Sequence, residues 1–388
     1  MQYRKDKYGN KLSVLGFGCM RLPRTLAASE KLIVDACAAG INYFDTAYVY
    51  PGSEETLGKI VEKNALRDRI YIASKLPHQK CSSVEDVQRI FSEQLQRLRT
   101  SKIDYYLIHN IANISSWQRL VDFGFLDWLL AKQAEGAIGQ IGFSYHGKQG
   151  DFKPLLDAYD WDFCQIQYNY ANANYQAGQL GLKAAAARGI PVIIMEPLLG
   201  GKLANDLSPA AAKLFKAVHA DRSLASWGFR WLYNQEEVTL VLSGMNASEQ
   251  LADNLQAASE ACVGMLSAEE EAVYEPVLRV FQNANKIACT GCNYCMPCSQ
   301  NVNIPDCFAA YNVRHTMGFV TGLTQYITSA VANPPDKQAL ASKCTGCKAC
   351  LKKCPQGIAI PDELALVRKS LEPWWFGLVV GVVRKFTS

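Results

Sequence analysis

The sequence predicts an α/β protein: a (β/α)8 TIM barrel followed by a small, largely helical, cysteine-rich domain. Three observations predict it. Short apolar, β-rich runs alternate with longer helical patterns up to about residue 260, and helices set between such strands mean parallel βαβ units. Eight units over about 260 residues match a barrel in count and in length. No Gly-x-Gly-x-x-Gly turn follows the first strand, so the doubly wound alternative lacks its usual mark.

The predicted strands, rich in β-branched and aromatic residues, are Ser13–Gly18, Tyr43–Asp45, Tyr71–Lys75, Tyr105–His109, Gln140–Ser144, Phe163–Gln167, Pro191–Met195 and Thr239–Ser243. Helical patterns cover Ser29–Ala39, Glu54–Val61, Val84–Leu98, Trp117–Glu135, Leu180–Arg188 and Ala247–Ala261. After Cys262, acidic residues Glu269, Glu270 and Glu271 open a helical pattern over Leu266–Phe281, a connection out of the barrel. Asp306–Ala332 reads as mainly helical, and Asn333-Pro334-Pro335 ends it. The expected organisation is therefore a barrel over 1–262, a connecting helix over 263–285, a cysteine domain over 286–372 and an apolar tail over 373–388.

Cys344, Cys347, Cys350 and Cys354 precede Pro355 in a C-x2-C-x2-C-x3-C-P run, and Cys289, Cys292, Cys295 and Cys298 repeat the spacing. This is the bacterial ferredoxin ligand pattern, in which the fourth cysteine serves the other [4Fe–4S] cluster. Paired zinc knuckles are the alternative, but four cysteines within about ten residues crowd a tetrahedral zinc and suit a cubane. Two [4Fe–4S] clusters are expected. Cross-ligation as in two-cluster ferredoxins joins Cys289, Cys292 and Cys295 with Cys354, and Cys344, Cys347 and Cys350 with Cys298. A compact ferredoxin separates its motifs by less chain, so the domain is expected to be the more helical, ferredoxin-like type.

Composition excludes some classes. A net charge of +4 without a basic cluster gives nucleic-acid binding no electrostatic support. Of 14 cysteines, the six outside the runs (Cys19, Cys37, Cys81, Cys164, Cys262 and Cys307) form no disulfide framework. The first residues lack the apolar stretch of a secretory signal, so a reducing, cytoplasmic setting is expected. The ten residues from Trp374 to Val383 are too few to span a bilayer. They read as packing on the chain's own surface or as a shallow membrane or subunit contact.

A barrel of this kind places its active site at the C-terminal ends of its strands. Asp45, Lys75, His109 and Ser144 close the second to fifth predicted strands, Tyr50 follows the second, and Gln165 lies on the sixth. Each has a structural explanation alone: a turn aspartate, a solvated lysine, a satisfied core histidine, a loop tyrosine beside Tyr48. Together they converge on one rim. A tyrosine of ordinary pKa (about 10) needs a nearby cation to donate a proton near neutrality. Lys75 can supply that charge, Asp45 can hold Lys75, and His109 can orient a carbonyl oxygen. The set suits reduction of a carbonyl by hydride, with Tyr50 as general acid.

Phe44-Asp45-Thr46-Ala47 with Tyr50, Ala73-Ser74-Lys75 and Leu107-Ile108-His109 resemble the aldo-keto reductase tetrad in order and spacing. Gly139-Gln140-Ile141-Gly142-Phe143-Ser144 and Cys164-Gln165-Ile166-Gln167-Tyr168-Asn169 extend the resemblance over about residues 10–260. The cysteine runs resemble a prokaryotic branch of that family with a C-terminal iron–sulfur domain. The resemblance implies a (β/α)8 barrel using NADPH or NADH, with Tyr50 as acid and Ser144 and Gln165 holding the nicotinamide carboxamide. Met195 stands where many members stack a tyrosine, and Tyr145 where an asparagine often follows the serine. Ser243-Gly244-Met245-Asn246 opens the adenosine region, where Asp253 and Asn254 resemble the acid–asparagine pair that touches adenine. The basic residues of NADPH-binding members are missing there, which leaves NADH and NADPH both open. The expected partners are a small carbonyl or alcohol and a redox protein such as ferredoxin. The alternative is an iron–sulfur electron-transfer protein whose barrel binds a redox partner or another cofactor.

Overall fold

The structure, a computed structural model, describes residues 1–331 and 339–377. Its strands are β1 (Tyr3–Lys5), β2 (Lys11–Ser13), β3 (Leu15–Gly18), β4 (Tyr43–Asp45), β5 (Tyr71–Leu76), β6 (Ile103–Ile111), β7 (Ile138–Tyr145), β8 (Phe163–Gln167), β9 (Val192–Met195) and β10 (Val238–Ser243). Strands β3 to β10 form a closed barrel in sequential order. Every pair is parallel, and β10 returns to β3 through Val241 opposite Leu15. All eight predicted barrel strands are present.

Helices α1 (Leu26–Ala38), α2 (Ser53–Lys63) and α3 (Val84–Leu98) occupy the expected places. The single helix expected over Trp117–Glu135 is instead two, α4 (Ile114–Asp122) and α5 (Phe125–Ala134). Gly124 between them has φ +87°, which ends one helix and starts the next. Helix α6 (Gln149–Asp157) was not expected, since Gly150 and Pro154 weaken its helical signal. Then follow α7 (Gly178–Ala186), α8 (Pro209–Val218), α9 (Leu224–Tyr233) and α10 (Ser248–Ser259).

The N-terminal end of the barrel is sealed. Tyr43, Tyr105 and Phe163, near the starts of their strands, meet edge to face at 4.9 and 5.2 Å between ring centroids. Leu12 of the antiparallel β1–β2 hairpin is buried against the same cluster. Asp6, in the hairpin turn, accepts from Tyr105 Oη at 2.7 Å and from Gln140. Aromatic and aliphatic interior residues, with Asp6 and Gln140, thus fill the bottom, and the other rim is left open.

The chain forms two compact units. One comprises Met1–Pro197 with Ala225–Ser267; the other comprises Leu198–Leu224 with the residues from Ala268 onward. Sequence order alone puts Leu198–Leu224 with the barrel, but its contacts put it with the C-terminal part. There α8 packs on α12 (Tyr274–Ala284), with Phe215 and Tyr274 rings 5.5 Å apart. Arg222 Nη1 reaches Glu270 Oε1, on α11 (Ala268–Ala272), at 2.6 Å. The expected connecting helix is therefore broken in two, at Val273. Helices α13 (Ile304–Met317), α14 (Phe319–Tyr326) and α15 (Ile360–Leu371) close round Cys307, Phe308, Tyr326, Val367 and Leu371.

Phe376, from the apolar tail, is buried in that core beside Tyr326, whereas Trp374 is 91% exposed. The tail beyond residue 377 and the Asn333-Pro334-Pro335 break lie outside the described residues. Among the described residues no helix is long and apolar enough to cross a membrane.

Gly58 on α2 marks a close approach in the barrel's outer layer: a Cβ there would stand 2.3 Å from the Arg97 carbonyl oxygen and 2.7 Å from the Leu98 carbonyl carbon. Backbone cannot yield as a side-chain end can, so Gly58→Ala is expected to destabilise the protein by about 1–3 kcal/mol, read as a lower urea midpoint with an unchanged slope.

Candidate active site and cysteine runs

Asp45 ends β4 and Lys75 lies one residue before the end of β5, and both side chains are buried. Lys75 Nζ donates to Asp45 Oδ1 at 2.6 Å and to the Thr46 carbonyl at 2.7 Å. Asp45 Oδ2 has no hydrogen-bond partner among the described residues. Burial pushes the Asp45 carboxyl up, and Lys75 pulls it back.

Tyr50 sits in the turn before α2, with its N–H donating to Ala47 O at 3.0 Å. Its ring lies 5.2 Å from Lys75 Nζ and meets His109 edge-on, 5.9 Å between centroids at 89°. His109, on β6, is buried, and burial followed by the Lys75 charge holds it well below the usual histidine range. Both causes favour the neutral imidazole, which carries one ring N–H. Asp45, Tyr50, Lys75 and His109 thus come together on one rim.

The neighbouring tyrosine is engaged otherwise. Tyr48 Oη donates to Glu93 Oε2 at 2.7 Å, and the Arg97 guanidinium lies 4.2 Å from its ring centre. Arg97 also pairs with Glu54 at 3.2 Å, and the buried Glu54 accepts from Ser74 Oγ at 2.6 Å and from Gln94 at 2.9 Å. This network holds α2 and α3 against β5, beside Lys75.

Ser144 and Gln165 are register partners on β7 and β8. Ser144 Oγ accepts from Asn110 N at 2.8 Å, so its hydroxyl hydrogen is available to an acceptor. Gln165 Nε2 points to Met195 Sδ at 3.5 Å, and its Oε1 is buried without a partner among the described residues. Ser243 Oγ and Asn254 Nδ2 form a 2.9 Å hydrogen bond at the end of β10, with Asp253 adjacent on α10. These three make a second group, apart from the tetrad's hydrogen bonds.

Three residues were not singled out from the sequence. Gln167 is fully buried opposite Met195, with both amide atoms lacking partners among the described residues. The strand alternation Gln165-Ile166-Gln167 could have flagged it, since residues two apart share a face. His78 and His146 stand near His109 and are both lowered to about 4, chiefly by burial. His78 Nδ1 faces Arg119 Nη2 at 3.2 Å and His146 Nδ1 faces Gln176 Oε1 at 3.1 Å.

In the C-terminal unit the two cysteine runs share a backbone. Gly291 and Gly346 have φ of +67° and +71°, and Asn293 and Lys348 have +63° and +61°. The Cys295 thiol is pushed up to about 12 by burial and then by Cys289, Cys292 and Cys354. That of Cys350 is pushed up by burial and then by Cys344, Cys298 and Cys347. Each set thus draws three cysteines from one run and one from the other. The segment after β9 braces the first run. A Cβ on Gly200 would stand 2.2 Å from Thr290 O, and Lys202 Nζ donates to Asn285 Oδ1 at 2.9 Å and Ile287 O at 3.1 Å. Cys307 is buried in the helical core, against which six of the eight run cysteines pack.

Removing Lys75 would strand a buried carboxylate. Lys75→Met is expected to cost about 3–5 kcal/mol near neutral pH, and adding Asp45→Asn to recover part of it. Protonating the stranded carboxylate relieves the penalty. Because burial raises the folded-state pKa, the folded state of the single variant takes up protons first, and its deficit shrinks as pH falls. Urea midpoints between pH 8 and pH 5 check this.

The model for the aldo/keto reductase family matches residues 14–268, more than half of the 388-residue chain, and that for the 4Fe-4S dicluster domain matches residues 288–360. The NAD/NADP-dependent indole-3-acetaldehyde reductase of Schizosaccharomyces pombe is 34% identical over 87 residues, 22% of this chain and 28% of that protein. The chain thus aligns to less than a third of that relative. Among solved structures, an aldo-keto reductase from Bacillus halodurans (holo form) superposes with a TM-score of 0.60 at 23% identity, covering 71% of this chain and 96% of that one. An aldo-keto reductase from Klebsiella pneumoniae in complex with NADPH gives 0.59 at 21% identity, covering 71% and 95%. These two likenesses concern the fold. With the family model spanning the whole barrel, the chain belongs to the aldo/keto reductase family and carries a C-terminal 4Fe-4S dicluster domain.

Proposed function

We propose that this oxidoreductase reduces an aldehyde or ketone, or oxidises the corresponding alcohol, at the rim formed by Tyr50, Lys75, Asp45 and His109. The observation that carries the reading is the buried Lys75–Asp45 pair set against the Tyr50 ring beside a neutral His109. The orphaned Gln165 Oε1 and the available Ser144 hydroxyl suit the amine and carbonyl ends of a carboxamide, and this supports a nicotinamide there. A bound nicotinamide supplies the hydride. His109 donates its ring N–H to the substrate oxygen and orients it. Lys75, fixed by Asp45, places a positive charge beside Tyr50 and eases loss of the phenol proton to the oxygen as alkoxide character develops.

The stretch from Ser243 to Asn254 contains no lysine or arginine. A 2′-phosphate normally calls for such charge, so NADH is the proposed preference. Two [4Fe–4S] clusters are proposed in the C-terminal unit, one on Cys289, Cys292, Cys295 and Cys354 and one on Cys344, Cys347, Cys350 and Cys298. The thiol neighbours of Cys295 and Cys350 support this pairing. The clusters are read as an electron relay to a redox protein.

With oxygen excluded, short aldehydes should be turned over with NADH in preference to NADPH. Tyr50→Phe should lower kcat by about 10²–10⁴-fold while calorimetric cofactor binding persists. Absence of turnover with either nicotinamide, together with indifference to Tyr50→Phe, would remove the assignment. Cys298→Ser should disturb the cluster carried by the second run and spare the other, checked by iron content and the electron paramagnetic resonance of the reduced protein.

A further inference from the structure

The two cysteine runs have the same local backbone but different surfaces. Cys289, Cys292, Cys295 and Cys298 are all half-buried, and no charged residue lies between Cys289 and Asn303. In the second run Cys347 is exposed. Lys343, Lys348, Lys352 and Lys353 flank it in sequence, with no acidic residue from Ser342 to Pro361. Lys348, Lys352 and Lys353 are exposed, Lys343 is half-buried, and Leu351 at 37% exposure adds an apolar spot among them.

None of the four lysines forms an ion pair among the described residues. The nearest acids in sequence are Asp336, which lies outside the described residues, and Asp362 and Glu363 in the first turn of α15; Glu372 Oε1 accepts from Ser342 N at 3.1 Å. Lys348 is the informative position. It holds φ +61°, where the first run has Asn293 at +63°. Asparagine tolerates that left-handed conformation better than lysine does, so local folding does not account for a lysine there.

We propose that this face is the docking surface for an acidic protein carrying a one-electron redox centre, and that electrons pass through the cluster on the second run. The proposal rests on the reading that this run holds a [4Fe–4S] cluster. The step is one electron from the reduced partner to the cluster, or the reverse. The donor is oxidised by one and the acceptor reduced by one, with no atom transferred. Free lysines round an exposed cluster ligand steer a negative partner and bring the two centres close, and such steering weakens with salt. The uncharged, half-buried first run offers no comparable face.

The test uses the full chain with its clusters, oxygen excluded, and a reduced acidic plant-type [2Fe–2S] ferredoxin as probe. Cluster reduction is followed by stopped-flow absorbance at low and high salt. The expected second-order rate falls at least tenfold as salt rises through the screening range. Lys348→Asn, which restores the first run's own residue, should keep iron content and the paramagnetic spectrum while slowing reduction several-fold at low salt. Adding Lys352→Gln and Lys353→Gln should slow it further, whereas Lys59→Gln on α2 should not. If the clusters are present and reducible by dithionite but the ferredoxin rate ignores salt and all three substitutions, the docking face is wrong. If the second run's cluster is missing from the iron count and the spectrum, the cluster reading has failed instead, and the docking proposal falls with it.

Discussion

The ion pair between Lys75 and Asp45 is the constraint on which the arrangement of the barrel's rim depends. Both groups are withdrawn from water, a cost that is tolerable only because they meet at 2.6 Å and the Thr46 carbonyl takes a second ammonium proton. Lys75 is thereby tied from two sides. Its charge cannot swing to solvent, so it acts on whatever stands beside it: the Tyr50 ring and the His109 imidazole, which burial and Lys75 together keep neutral. A fixed cation, an adjacent phenol and a neutral imidazole follow from one buried contact.

The rest of the barrel serves that contact by position. The aromatic layer and the hairpin close the N-terminal end, and the strand ends carrying Asp45, Lys75, His109, Ser144 and Gln165 remain at the other. Behind Lys75, the Glu54–Ser74–Gln94–Arg97 network holds the outer helices in register with β5, and Tyr48 is bound into it. This distinguishes two tyrosines only two residues apart. Tyr48 is committed to Glu93 and Arg97, while Tyr50 faces the lysine and histidine.

The C-terminal unit applies different physics to a repeated motif. Both runs turn the chain with a glycine and the residue two further on at positive φ. Their surroundings then diverge. The first run is braced by Gly200 and Lys202 from the segment after β9, where only a glycine admits the Thr290 carbonyl at such close range. The second presents Cys347 to solvent, with exposed Lys348, Lys352 and Lys353 close to it in sequence. A repeated cysteine loop thus has two environments, one half-buried at all four cysteines and one that presents Cys347 to solvent.

The barrel and the tetrad were legible from the sequence because their signals are local. Each strand is a short β-rich run, and each tetrad residue stands at or just after the end of one, so position along the chain already fixes its rim. The spacing of the cysteines is equally local. What the sequence could not decide depends on contacts between distant residues. The hairpin at the barrel floor is three residues a strand and becomes stable only by burying Leu12 and satisfying Asp6. The break at Gly124, the short helix containing Pro154 and the grouping of Leu198–Leu224 with the cysteine unit each follow from packing that outweighs local propensity. Gln167 looks like any strand glutamine until burial shows its amide without a partner among the described residues, and the lysines beside Cys347 in sequence look like ordinary surface charge until the fold exposes that cysteine and leaves its counterparts half-buried. Periodicity determines which elements form; burial, which no single residue sets, decided which side chains they leave with chemistry to do.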